Sequence, residues 1–230
     1  MDIVWHVVFS LARHRFLLMA VGTTVPLILL TISMLKKGHG LLSSAMTRVV
    51  LVLIPIYAIL NMIFGMTVAT HAVHAYGVKA RATITGSYDT GVQYNEQNVM
   101  GYHVLMNTAE GRVVETSFEE DDFNVYPPHN ATRYPGVGDK FSVQYLKAFP
   151  NDFIIVSNDD SPWAAHLRCS ALGDRMSQAE AKYNFAPETP AYRTEYVDAS
   201  QAYLSGNCSA NDSETQSIQQ NLANAKAGRR

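Results

Sequence analysis

The chain has 230 residues, 47% of them apolar, and a formal net charge of −2, which is more than one average domain and enough for a sizeable core. The charge is uneven: residues 1–78 carry five Lys/Arg against one Asp, a net +4, and residues 79–230 carry thirteen against nineteen, a net −6. An acidic soluble part excludes nucleic acid as a partner, because that binding needs clustered Lys and Arg to displace counterions.

Residues 1–15 hold Ile3, Val4, Trp5, Val7, Val8, Phe9 and Leu11 ahead of Arg13, His14 and Arg15. The stretch is too short to cross a bilayer, and its charge follows the apolar part, whereas a secretory signal puts it first. It predicts a short interfacial helix with Trp5 and Phe9 at headgroup level. From Phe16 to Leu35, and again from Val49 to Val78, there is no Asp, Glu, Lys or Arg. Runs of about twenty apolar residues match the roughly 30 Å hydrocarbon core of a bilayer. Residues 16–77 therefore predict a transmembrane hairpin with spans near 16–35 and 49–70, and the lipid bilayer is the first expected partner. Pro26 removes a backbone hydrogen bond in the first span, and Thr23 and Thr24 are expected to re-satisfy the freed carbonyl. Pro26, with Pro55, Asn61 and Gly65 of the second span, is expected at helix–helix contacts, since lipid supplies no hydrophobic drive for association. For Asn61 the alternative is a functional site inside the membrane.

The hairpin places the N-terminal segment and the soluble part on one side. Arg13, Arg15, Lys79 and Arg81 lie there, against Lys36, Lys37 and Arg48 on the link, a margin that the positive-inside rule does not decide. The dense Lys36–Lys37 pair, the acidic domain and the late cysteines favour a bacterial inner membrane with a periplasmic soluble part.

Beyond Val78 the period changes to two. Val78, Ala80, Ala82 and Ile84 alternate with Lys79, Arg81, Thr83 and Thr85, as in a half-buried strand. Gly86 to Asn98 is polar and reads as a loop. Tyr102–Asn107 and Arg112–Phe118 read as a hairpin turning at Thr108–Gly111. The acidic run Glu119, Glu120, Asp121 and Asp122 opens a long connection containing Pro127, Pro128 and Pro135. Lys140–Leu146 is a fourth strand and Phe153–Val156, after a Pro150-Asn151-Asp152 turn, a fifth. Five short antiparallel strands over residues 78–157 suffice for a small sheet or partly closed barrel.

Tyr102-x-Val104, the hairpin glycine Gly111, then Val137-Gly138-Asp139-Lys140-Phe141-x-Val143-x-Tyr145-Leu146 and Pro150 resemble a bacterial family of small membrane-tethered β domains. That family is known mainly as a domain of unknown function. The resemblance spans about residues 78–157, a third of the chain. It implies the small β fold and the membrane tether and supplies no catalytic residues. The chain departs from it in placing both spans before the domain and in its C-terminal extension.

Residues 158–208 turn helical. Ser161-Pro162 reads as an N-cap followed by Pro at the first helical position, opening a helix to about Tyr183. Ala191–Leu204 is a second helical segment. Cys169 and Cys208 are the only cysteines and form no C-x-x-C. A disulfide between them would fold the two segments together, and two free thiols are the alternative. Residues 209–230 read as a frayed helix or a disordered polar tail.

The expected fold class is thus an integral membrane α+β protein: an N-terminal two-helix transmembrane hairpin, a small antiparallel five-stranded β domain and a C-terminal helical extension. Gly-x-Ser-x-Gly, a phosphate loop, His-Glu-x-x-His and a nucleotide fingerprint are all absent, so no enzyme, cofactor or metal is expected. His71 and His74 share a helix face, but a third metal ligand is missing nearby. Glu119, Glu120, Asp121 and Asp122 are consecutive, unlike the alternating ligands of a Ca²⁺ loop, and are expected to meet solvent or a partner. The expected function is a membrane-anchored, non-enzymatic protein-binding module. One version is an immunity or accessory protein neutralising a secreted bacterial toxin, by analogy with antagonists that need only anchoring and complementary charge. The alternative is a membrane scaffold or transporter subunit acting through Pro26, Pro55 and Asn61. An enzyme assembled from His103, His129, His166 and the acidic run ranks last.

Overall fold

The computed structural model describes residues 2–35 and 45–228, so Lys36 and Lys37 of the basic link lie outside it, as does the side chain of Arg48. The chain divides into two compact units, residues 1–159 and 160–230.

In the first unit, α1 (Asp2–Arg13) passes through His14 into α2 (Arg15–Leu35), and α3 (Ala45–Tyr76) follows. At about 1.5 Å per residue, α2 is about 32 Å long and α3 about 48 Å. Both are long and apolar enough to cross a membrane. They pack through small residues, a Cβ built on Gly22 standing 3.0 Å from that of Ala58. Leu51, Ala58, Gly65 and Ala72 form a buried stripe along α3. Away from it the apolar side chains stay exposed, Leu27 at 66% and Leu53 at 54%. The two threonine hydroxyls before Pro26 donate to the carbonyls of Met19 and Ala20, each at 2.7 Å. Pro26 frees the carbonyl of Gly22, four residues back, so neither threonine serves it.

The surroundings of α3 change near Gly65. Met66, Ala69 and Val73 are buried together with Phe9 and Ala12 of α1 and with Leu146 and Ile154 of the sheet. Phe9, expected at headgroup level, is therefore a core residue. The apolar set on α1 is wide enough to bury one face while Ile3, Val4 and Val7 stay outside.

The strands are β1 (Val78–Tyr94), β2 (Gln97–Asn107), β3 (Val113–Glu119), β4 (Val125–Tyr126), β5 (Lys140–Leu146) and β6 (Phe149–Val156). They form one six-stranded mixed sheet in the order β3-β2-β1-β5-β6-β4, not the expected five antiparallel strands. The sixth is β4, two residues of the long connection that pair in parallel with Ile155 and Val156. The polar stretch Gly86–Asn98, read as a loop, instead continues β1 and β2 into a long two-stranded arm with register shifts after Ile84 and Asp89. Gly91 to Asn98 are all exposed, so no burial pattern marks them as strand. β6 begins at Phe149, placing Pro150, Asn151 and Asp152 within the strand. Phe153 to Val156 are buried on both faces: Ile154 meets the helices, while the Phe153 ring meets that of Phe118, 6.3 Å away, edge-on. A strand covered on both sides reads as a continuous apolar run, which hides its alternation.

The second unit comprises α4 (Pro162–Phe185), α5 (Pro190–Ser205) and α6 (Asp212–Lys226). A disulfide joins Cys169 of α4 to Cys208 just past α5. The segment read as a frayed helix or disordered tail is an ordered helix over residues 212–226. The Asn211 side chain accepts from Glu214 N at 2.9 Å, and the Glu214 carboxylate accepts from Ala210 N at 2.7 Å, which together satisfy orphan donors of its first turn. Ala225 joins Ala179, Tyr196 and Ala199 in the small core.

Candidate functional site

Arg13 and Arg15 close α1 and open α2, and both face the turn after β3. There Glu120–Asp122 form one 3₁₀ turn with reciprocal capping: the Glu119 side chain accepts from Asp122 N and the Asp122 carboxylate from Glu119 N. Arg13 Nε donates to Asp122 Oδ1 at 3.1 Å. Arg15 donates to the carbonyl of Asp121, and its guanidinium lies 5.0 Å from the Phe16 ring and 4.8 Å from the Phe123 ring, a cation–π sandwich. Glu120 accepts from Tyr102 Oη at 2.9 Å and Met100 N at 3.2 Å. Tyr134 Oη donates to Glu120 O at 2.7 Å and accepts from Phe123 N at 3.1 Å.

The four acidic residues singled out for a partner are therefore engaged within the chain. Asp122 is buried at 8% exposure. Burial lifts its carboxyl above the ordinary value, with Arg13 and the Glu119 N–H pulling the other way. Burial, then the charges of Asp121 and Asp122, also raises Glu119. Burial and the Glu120 carboxylate push the Tyr102 phenol up to about 12. The set ties the end of α1 and the start of α2 to the turn after β3.

A second constellation follows the seam between α1, α3 and the sheet. Trp5 stacks on Tyr76 at 5.4 Å, His6 on Phe149 at 3.9 Å and His74 on Tyr126 at 3.8 Å. His6 Nδ1 contacts the Asp152 carboxylate, and His74 Nδ1 stands 2.6 Å from Gln144 Oε1. His71 meets Tyr126 edge-on and bonds the carbonyl of Thr67. Sequence reasoning found His71, His74 and Tyr76 but missed the sheet partners of the two histidines, which lie up to seventy residues away. Among the described residues no group of three or more His, Cys, Asp or Glu could hold a metal ion. His103 packs against the Tyr88 ring at 4.9 Å.

The residues expected in helix packing divide. Asn61 Nδ2 donates to Leu11 O at 2.9 Å, taking one of the free carbonyls at the end of α1. A Cβ on Gly65 would stand 3.3 Å from that of Ala12 and closer still to the Asn61 amide. Both therefore serve the contact of α3 with α1, and Gly22 and Ala58 serve that with α2. Pro26 and Pro55 lie inside α2 and α3.

Fold and site together define an α+β protein in which a pair of long apolar helices is built directly onto a mixed sheet and locked there by paired arginines. No protein-family model, curated protein or solved structure matches the chain, so the resemblance to membrane-tethered β domains rests on its short motifs alone.

Proposed function

We propose that the chain is a membrane-anchored, non-enzymatic binding protein of a bacterial plasma membrane, with its sheet and helical unit on the oxidising side. The carrying observation is the exposure of α2 and α3: only 17% and 28% of their apolar windows are buried. Water would penalise that surface at roughly 25 cal/mol per Å², and lipid removes the penalty. The length agrees. A 30 Å slab takes about twenty residues of helix, which is nearly all of α2 and the part of α3 that precedes Gly65, where burial in the domain begins. The Cys169–Cys208 bond supports an oxidising compartment.

With the acidic turn engaged internally, the partner is placed on the arm of β1 and β2, which exposes Val92 at 39% and is steadied by Tyr94, stacked on Phe16 at 6.1 Å and donating to Asp121 at 3.4 Å. A secreted protein such as a toxin fits that placement. Asn61 is occupied by Leu11 O, which favours this reading over a transport role for the spans.

Two experiments test the proposal. Leu27→Arg with Leu53→Arg puts charges in the lipid-facing surface at about 2.5–3.5 kcal/mol each. The parent should resist alkaline extraction from membranes and the variant should not; a parent released in soluble form refutes the anchor. Affinity capture with the detergent-solubilised full chain should recover a secreted partner that Val92→Ser with Glu96→Gln, the latter exposed in the turn between β1 and β2, loses. Capture unchanged by that variant removes the arm from the interface.

A further inference from the structure

Residues 160–230 hold a cleft of about 560 Å³ between the end of α4, α5 and the second half of α6, within the range of about 300–1,000 Å³ typical of small-molecule sites. Glu180, Tyr183, Asn184, Tyr196, Asn221 and Asn224 line it. Tyr183 and Tyr196 stack at 5.4 Å with ring planes 6° apart, and Tyr196 is buried among Ala179, Ala199 and Ala225, so this wall is rigid. Phe185, also on the cleft, is 90% exposed. An uncovered ring beside a polar hollow has no folding role and supplies an apolar platform.

The polar lining is mostly neutral. No Lys or Arg lines the cleft. Lys182 is paired with Glu195 at 2.7 Å, and Arg193 donates Nη2 to Pro187 O at 3.3 Å. A phosphorylated or carboxylate ligand thus meets no cation on the lining and faces the Glu180 carboxylate instead. The three asparagines each carry two donors and an acceptor oxygen, and none of their amides has a partner among the described residues. Asn221 and Asn224, three apart on α6, share one face. An organic cation would meet the Glu180 carboxylate but no ring cage, since Tyr183 and Tyr196 stack on each other. Hydroxyl groups, which donate and accept together, match amides and a carboxylate.

We propose that this cleft binds a neutral pyranose saccharide, with Asn184, Asn221, Asn224 and Glu180 on its hydroxyls and Phe185 against its C–H face. The test uses the full chain in phospholipid nanodiscs free of glycosidic detergent. Chitotetraose and maltotetraose serve as saccharide probes and choline as the cationic one, read by saturation-transfer NMR and calorimetry. The expected result is saturable binding of at least one saccharide, tighter than about 1 mM, with transfer to ring protons. Asn184→Ala with Asn221→Ala, both on exposed side chains, should weaken it at least tenfold, whereas Glu180→Gln, which keeps an acceptor, should weaken it less than threefold. Absence of saccharide binding overturns the proposal. So does binding indifferent to the two asparagines, or choline binding that Glu180→Gln abolishes.

Discussion

Replacing Arg13 with alanine removes the cation beside Asp122, whereas Asp122→Asn removes the anion and keeps an acceptor oxygen, and the two changes should differ sharply. Asp122 is 8% exposed and takes Arg13 Nε and Glu119 N, each at 3.1 Å. Breaking a buried pair from one side costs about 3–5 kcal/mol. Arg13 is 32% exposed, so solvent screening reduces the figure to about 2 kcal/mol for Arg13→Ala. Asp122→Asn keeps an acceptor for Arg13, and Arg15 keeps its bond to Asp121 O, so this variant should stay within about 1 kcal/mol of the parent. Hydrogen–deuterium exchange of the full chain in micelles reads the effect on α1, residues 2–13. There about 2 kcal/mol means roughly thirtyfold faster exchange. The double variant should recover most of the protection, because no carboxylate is left unpaired. The pH dependence has a definite sign. The folded chain holds the Asp122 proton more tightly than the unfolded chain does. The contribution of this group is therefore most favourable below its ordinary 3.8 and is lost as pH rises through the folded value. The advantage of Asp122→Asn over the parent should grow with pH and vanish towards acid. Equal acceleration by Arg13→Ala and Asp122→Asn, or an advantage that grows towards acid, would refute the reasoning.

Asn61→Leu deletes the bond to Leu11 O, at about 1 kcal/mol, and should speed exchange at the end of α1 several-fold while leaving partner capture intact. Loss of capture would return Asn61 to a functional role. Cys169→Ser with Cys208→Ser opens a link between residues 39 apart, for which loop entropy sets a ceiling of about 4 kcal/mol. Exchange should rise across α4–α6 and stay unchanged in the sheet; a loosened sheet would contradict two separate units. Gly101→Ala puts a Cβ in clash with the phenol end of Tyr88 and should cost about 1–3 kcal/mol, seen as faster exchange over residues 86–100. Adding Tyr88→Ala should relieve it, and no relief would mean that the crowding is not with that ring.

What was legible in the chain followed from burial that repeats along the sequence. The apolar runs of α2 and α3 needed only length. Val78–Ile84 alternates because one face is buried and the other wet. The outer arm did not, because from Gly91 to Asn98 both faces are wet and alternation has no cause there. β4 has only Val125 and Tyr126 to show, too few for any period, and its parallel pairing depends on a chain segment thirty residues on. α6 was obscured because Leu222 and Ala225 are its only buried residues. The arginine latch joins residues more than a hundred apart, so no local pattern could mark it. The one trace was the opposite charge of the two parts of the chain, which pointed to an external partner although at Arg13 and Asp122 it is satisfied internally.

The continuity of α3 with the sheet bears on how an anchored domain would bind. Only Gly77 separates its 32 residues from β1, and Gly77 N already donates to Val73 O at 2.7 Å. Val73 is buried with Leu146 and Ile154, so the last turns of the helix are sheet core, with no flexible tether between. α1 braces the same junction from the side, through Trp5 on Tyr76 at one end and Arg13 on Asp122 at the other. A domain on a loose linker must give up orientational freedom when a partner is captured, at a cost that subtracts from affinity. Here folding has already met that cost, and the arm stands in a fixed direction relative to the apolar helices. In the proposed binding role the arginines and the acidic turn would act without touching a partner, by holding the arm in place.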